Sequence, residues 1–191
     1  MNPLTHLKKM RILPLLIALA LVAWAAGAAR AAIGDFNGDG HPDYVLQNPC
    51  THQTAIWYLN NNVYTGSAWG PTLGWWFLVG AADFNRDGHP DYVLENGTGQ
   101  TAIWYLSGRT LVGGAYGPTL RSGWALAATA DFNGDGKPDY LLYNPGTQQT
   151  AIWYLNNNVF ISGAYGPTLP AGWSLVADWC APWDYGYACC Q

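Results

Sequence analysis

From residue 32 onward the hydrophobic positions come in short bursts, four to a unit, and the unit recurs three times. The first burst is small and apolar, as in Trp76–Ala82 and Trp124–Ala130. The second is Tyr44–Gln47, Tyr92–Glu95 or Tyr140–Tyr143, and the third is TAIWYL, starting at Thr54, Thr101 and Thr150. The fourth runs into a GPTL motif that begins at Gly70, Gly117 and Gly166. β-Branched and aromatic residues fill the bursts while Gly, Pro and Asn bound them, which predicts four short strands per unit. No part of this region shows a sustained helical period with start and stop signals. Gly-Pro marks turns, so GPTL is read as a turn that presents Thr72, Thr119 and Thr168 as hydroxyls able to carry sugars.

A unit of roughly 40–50 residues with four strands is the size of a propeller blade, whose sheet buries its faces against its neighbours. The expected fold is therefore all-β, a propeller-like array of three four-stranded blades. The repeats fall at 35–82, 83–130 and 131–177 within a region covering 32–177, and a degenerate fourth unit and Cys-rich tail occupy 178–191. The Ala- and Gly-rich first strand suits the crowded place nearest a propeller axis.

Between the first and second strands each unit carries DFN[GR]DGxPDY, opened by Asp35, Asp83 and Asp131. Oxygen-bearing side chains stand at positions one, three, five and nine: Asp35, Asn37, Asp39 and Asp43, then Asp83, Asn85, Asp87 and Asp91, then Asp131, Asn133, Asp135 and Asp139. Position six is Gly40, Gly88 or Gly136. Calcium takes six to eight oxygen ligands in a flexible shell, and a tight turn at a glycine points alternate residues inward. Position seven (His41, His89, Lys137) would give its backbone carbonyl, which explains why its side chain varies. The EF-hand pattern needs Glu at position twelve, where this chain has Leu46, Leu94 and Leu142. A plain Asp/Asn/Gly turn accounts for one such loop. It does not account for three in register, which hold nine of the chain's 12 acidic residues and would self-repel without a cation. Three calcium sites are expected. Magnesium fits less well because it demands strict octahedral geometry.

The N-terminus reads differently. Lys8, Lys9 and Arg11 precede an apolar run from Ile12 to Ala29 that ends in small residues with A-x-A-like sites, so residues 1–31 read as a secretory signal peptide. A retained apolar helix is the competing reading, since the run is just long enough to span a bilayer. With the signal removed, no membrane span is expected, and the protein is placed outside the cell or on its surface. There, Cys50, Cys180, Cys189 and Cys190 are disulfide candidates with three possible connectivities, either stapling the tail or joining subunits. Only 10% of the chain is charged, whereas it has 11 Trp, 12 Tyr and 23 Gly. With so few Lys and Arg there is no basic patch for nucleic acid.

The loop, followed by AIWYL and a later Gly-Trp, resembles the FG-GAP/VCBS repeat family, best known from integrin-type β-propellers. The resemblance covers about residues 33–178. It implies a four-stranded blade with calcium between its first and second strands, and the ligand roles fall on the loop residues named above. Three repeats are fewer than such propellers usually have, and at Asp178 the pattern ends with Cys180 and Pro182 in place of oxygen ligands.

Three classes of function remain. A structural or adhesive building block fits the low charge, the many aromatics and the open sheet edges. The segment before Asp35 is a poor first strand, whereas Trp173–Ala177 is a first strand with no blade after it. Strand complementation between copies, head to tail into a ring or a filament, would match the two. A lectin-like module would use Trp57, Trp104 and Trp153, recurring aromatics suited to sugar stacking. Packing between blades is the plainer role for them. An enzyme is not expected, because no nucleophile–base constellation recurs and the acidic residues belong to the loops. His52 reads as an exposed loop residue, and Asn96-Gly97-Thr98 is a lone glycosylation sequon.

Overall fold

The computed structural model describes residues 32–175. The expected signal peptide, the last residues of the third repeat, the degenerate fourth unit and Cys180, Cys189 and Cys190 lie outside the described residues. Within them the chain is all-β, with twelve strands and no helix. The first sheet contains β1 (Ala32–Gly34), β2 (Asp43–Gln47), β3 (Gln53–Asn60) and β4 (Val63–Thr72). The second contains β5 (Phe77–Ala82), β6 (Asp91–Glu95), β7 (Gln100–Ser107) and β8 (Thr110–Thr119). The third contains β9 (Ala125–Ala130), β10 (Asp139–Asn144), β11 (Gln149–Asn156) and β12 (Val159–Thr168). Each sheet is an antiparallel meander with its strands in chain order. These are propeller-like blades, although the described residues do not close into a propeller.

The sheets stack in chain order with the second in the middle, and their innermost strands β1, β5 and β9 run side by side. The Ala- and Gly-rich composition of these strands has a steric cause. A Cβ added to Gly80 would sit 3.0 Å from Thr129 Oγ1, and one added to Gly34 would sit 2.9 Å from the ring of Pro90. Two cores fill the seams. Between the first and second sheets, Phe36, Val45 and Ile56 meet Tyr92, Leu94 and Leu106. Between the second and third, Phe84, Val93 and Ile103 meet Tyr140, Leu142 and Leu155. Because the middle sheet is covered on both faces, every residue of β6 is buried, whereas β2, nearly identical in sequence, buries only Asp43 and Val45. Burial here follows position in the stack rather than local sequence.

Two expected local features differ. Gly70-Pro71-Thr72 is the end of β4 rather than a turn, and its counterparts end β8 and β12. These strands are the outer edges of their sheets, where a proline's missing N–H breaks no ladder bond. The glycine leaves room for Thr54, whose hydroxyl donates to the Pro71 carbonyl at 2.7 Å. Thr101 and Thr150 repeat that bond to Pro118 and Pro167. At the other difference, residues 32–34 do form a first strand, pairing with Asp43–Val45, whereas Trp173–Leu175 is not in a strand.

Candidate metal centre

Each carboxylate loop joins an innermost strand to the next one, as predicted from its place in the repeat. Glycine at position six turns the chain through a left-handed conformation, with φ +84° at Gly40, +90° at Gly88 and +78° at Gly136. The turn aims successive backbone N–H groups at the loop's own side chains. Asp35 accepts from Gly38 (2.7 Å) and Asp39 (3.1 Å) on Oδ1 and from Gly40 (2.8 Å) on Oδ2. Asn37 Oδ1 accepts from Asp39 at 3.0 Å, and Asp39 Oδ1 accepts from His41 at 2.9 Å. The Asn37 amide donates to Asp39 Oδ2 at 2.9 Å, which locks the two side chains together. The second loop repeats this on Asp83, Asn85 and Asp87, with the His89 N–H donating to Asp87. The third repeats the amide bonds on Asp131, Asn133 and Asp135, with the Lys137 N–H donating to Asp135. Positions one, three and five are thus gathered in all three copies by the N–H groups of positions five, six and seven, joined in the first and third loops by that of the position-four glycine.

Position nine is placed differently. Asp43, Asp91 and Asp139 each open a second strand and are fully buried. Asp43 Oδ2 accepts from Phe36 N–H at 2.9 Å and Oδ1 from Leu59 N–H at 3.0 Å, clamping the loop to β3. Asp91 takes Phe84, Asn85 and Leu106, and Asp139 takes Phe132 and Leu155. A carboxylate oxygen has two lone pairs, so each oxygen of Asp43 and Asp139 keeps one beyond its single amide, whereas Asp91 Oδ2 takes two amides and only its Oδ1 keeps one.

The charges follow these partners. Asp39 and Asp87 are held below the usual carboxylate range, chiefly by the amides of Asn37 and Asn85, and Asp131 chiefly by the Gly136 N–H. Burial pushes Asp91 up to about 6 against the pull of its three backbone donors. Lys137 lies 3.6 Å from Asp135. Among the described residues, no three His, Cys, Asp or Glu side chains form a ready-made cage. A cation here would also have to use the Asn side-chain oxygen and the position-seven carbonyl. Both belong to the oxygen-only donor set that suits a hard cation, so the residues fit calcium in kind.

The other candidates separate by position. Trp104 and Trp153 pack against the two seams, whereas Trp57 lies on the open face of the first sheet, 45% exposed. A groove of about 450 Å³ is lined by Trp124, Trp153, Phe160, Tyr165 and Arg121, and a smaller one of about 260 Å³ by Trp76, Trp104 and Tyr116. Cys50 is exposed in the β2–β3 turn. The three threonines of GPTL are exposed, and Asn96 Oδ1 caps its own turn by accepting from Thr98 and Gln100. Sequence reasoning missed Gln47 and Glu95. Gln47 donates to Trp76 O and accepts from Leu78 N–H, and Glu95 accepts from Leu126 N–H, so each ties its sheet to the next. Their signal was a polar residue ending an otherwise apolar strand.

Stacked four-stranded sheets with one carboxylate loop apiece define an all-β repeat protein. The FG-GAP-like repeat pattern matches residues 35–94 and 83–142, more than half of the chain. The chain belongs to the FG-GAP-like repeat family. No curated protein matches it.

Proposed function

We propose that the protein is an exported building block, stiffened by calcium in its three loops, that joins copies of itself head to tail. FG-GAP-like repeats point to a repeat or adhesion-type building block and are typically non-catalytic. The observation that carries the calcium reading is the recurrence, three times over, of gathered oxygens beside a fully buried aspartate. A buried carboxylate is costly unless it is paired or coordinates a metal. The three buried aspartates are met by backbone amides. Calcium would be held by positions one, three and five, the position-seven carbonyl and the outer lone pairs of position nine.

In this reading the loops rigidify the units, the cysteines staple the tail, and the protein works outside the cell. Strand complementation at the first sheet would have to extend or displace β1, which already pairs along Asp43–Val45. The groove of Trp124, Trp153 and Tyr165 favours a second reading, a sugar-binding module. Native mass with calcium and after chelation separates them. The building block gives an assembly of two or more chains that chelation dissolves. A monomer indifferent to calcium overturns it and leaves the sugar-binding reading in front.

A further inference from the structure

The faces left open at the two ends of the stack are the two halves of the interface already used twice inside it. At each internal seam a phenylalanine from the loop of one sheet meets a tyrosine of the next, edge to face. Phe36 meets Tyr92 at 5.9 Å between ring centroids, and Phe84 meets Tyr140 at 6.0 Å. All four of these residues are buried. Two equivalents remain without this partner, Phe132 on the third sheet (39% exposed) and Tyr44 on the first (45% exposed). Their surroundings agree. Ile152 and Leu169 are part-exposed where Ile56, Ile103, Leu73 and Leu120 are buried, and Ala55 is part-exposed where Ala102 and Ala151 are buried.

A polar match accompanies the apolar one. Across the second seam, Tyr105 donates to Asn157 Oδ1 at 2.8 Å and Asn158 donates to the Tyr116 carbonyl at 2.9 Å. Sheet three offers the counterpart of Tyr105 at its open face, Tyr154, and on its outer strand β12 the carbonyl of Tyr165, the counterpart of Tyr116. Sheet one carries the same Leu-Asn-Asn-Asn-Val hairpin as sheet three, with Asn61 and Asn62 exposed in place of Asn157 and Asn158. Asn61 and Asn157 even share a left-handed turn, with φ 55° and 57°. The middle sheet has Ser107-Gly108-Arg109-Thr110 there, so the first sheet is built like one that docks against Tyr105.

We propose that the third sheet of one copy packs on the first sheet of a second copy, pairing Phe132 with Tyr44, Tyr154 with Asn61 and Asn62 with the Tyr165 carbonyl. This rests on the building-block reading and names its joint. The occupant is a second copy because the matching face is the opposite end of the same molecule. Residues 176–191 carry no TAIWYL strand or GPTL edge with which to present it. Such a contact is heterologous, so it closes into a ring or continues as a filament.

Phe132→Asp and Tyr44→Asp in the full chain each put a charge on one end face and leave the other intact. The wild type is expected to run as two or more copies, each variant alone as a folded monomer with the same far-UV circular dichroism and a concentration-independent melting temperature, and their equal mixture as a dimer with one joint. Wild-type assembly untouched by either variant overturns the joint but not the building block, as does a mixture that stays monomeric. A monomeric wild type, the outcome if residues 1–31 or 176–191 of the same chain cover the faces, overturns both.

Discussion

Arg86 holds the fourth position of the second loop at φ 60°, where the other loops place Gly38 and Gly134. A left-handed turn costs a residue with a Cβ about 1–2 kcal/mol, partly offset by the greater freedom glycine loses on folding. Arg86→Gly should therefore raise stability, by about 0.5–1 kcal/mol in a urea titration. The turn positions of the loop were legible because Asp, Asn and Gly do their work locally. Position nine was legible only in its spacing, since the sequence shows an aspartate there but not that it turns into the blade. A second residue-scale effect comes from the seams. Burial pushes the Tyr92 phenol from 10.0 up to about 12, and Tyr140 shifts the same way. The folded state then keeps a proton that the unfolded chain releases. The two tyrosines' contribution should be constant below pH 10 and fall as pH rises from 10 to about 12, by at most about 1.4 kcal/mol per pH unit for each tyrosine. Melting curves across that window check this, and Tyr92→Phe should flatten the decline.

At the scale of the element, the loop and its sheet are held together by one side chain. Asp139 accepts from Phe132 N–H in the loop and from Leu155 N–H in β11, both at 3.0 Å. Asp139→Ala would leave two backbone donors without a partner in a buried site, at a cost of about 2–4 kcal/mol. Urea unfolding should show the loss, and Asp139→Asn, which keeps an acceptor, should lose less. The twelve strands were nearly all visible in the pattern, because each alternates or runs apolar between strong turn residues. Gly-Pro misled, since the same dipeptide serves a turn or the end of an edge strand, and only the neighbouring Thr54 hydroxyl distinguishes them. The spare strand read at Trp173–Ala177 does not form over its described part, Trp173–Leu175. Trp173 is 69% exposed, whereas its equivalent Trp76 is buried under the next sheet.

At the scale of the whole molecule, three near-identical units behave differently because of where they stand. The same Tyr is buried in the second and third sheets and exposed in the first. No reading of one unit's sequence reveals that, because it depends on which sheet lies beyond. The repeats, the loops and the aromatic positions could be read residue by residue, whereas the complementary end faces emerged only from the stack. If calcium binds the folded loops and not the unfolded chain, each site adds about 2.7 kcal/mol at a hundredfold excess of calcium over its dissociation constant. The most direct test is to count calcium bound per chain at equilibrium and to melt the same samples with and without chelator. Three calcium ions per chain and a melting temperature that drops on chelation are expected. A chain that binds no calcium and melts identically in both conditions would contradict the calcium reading.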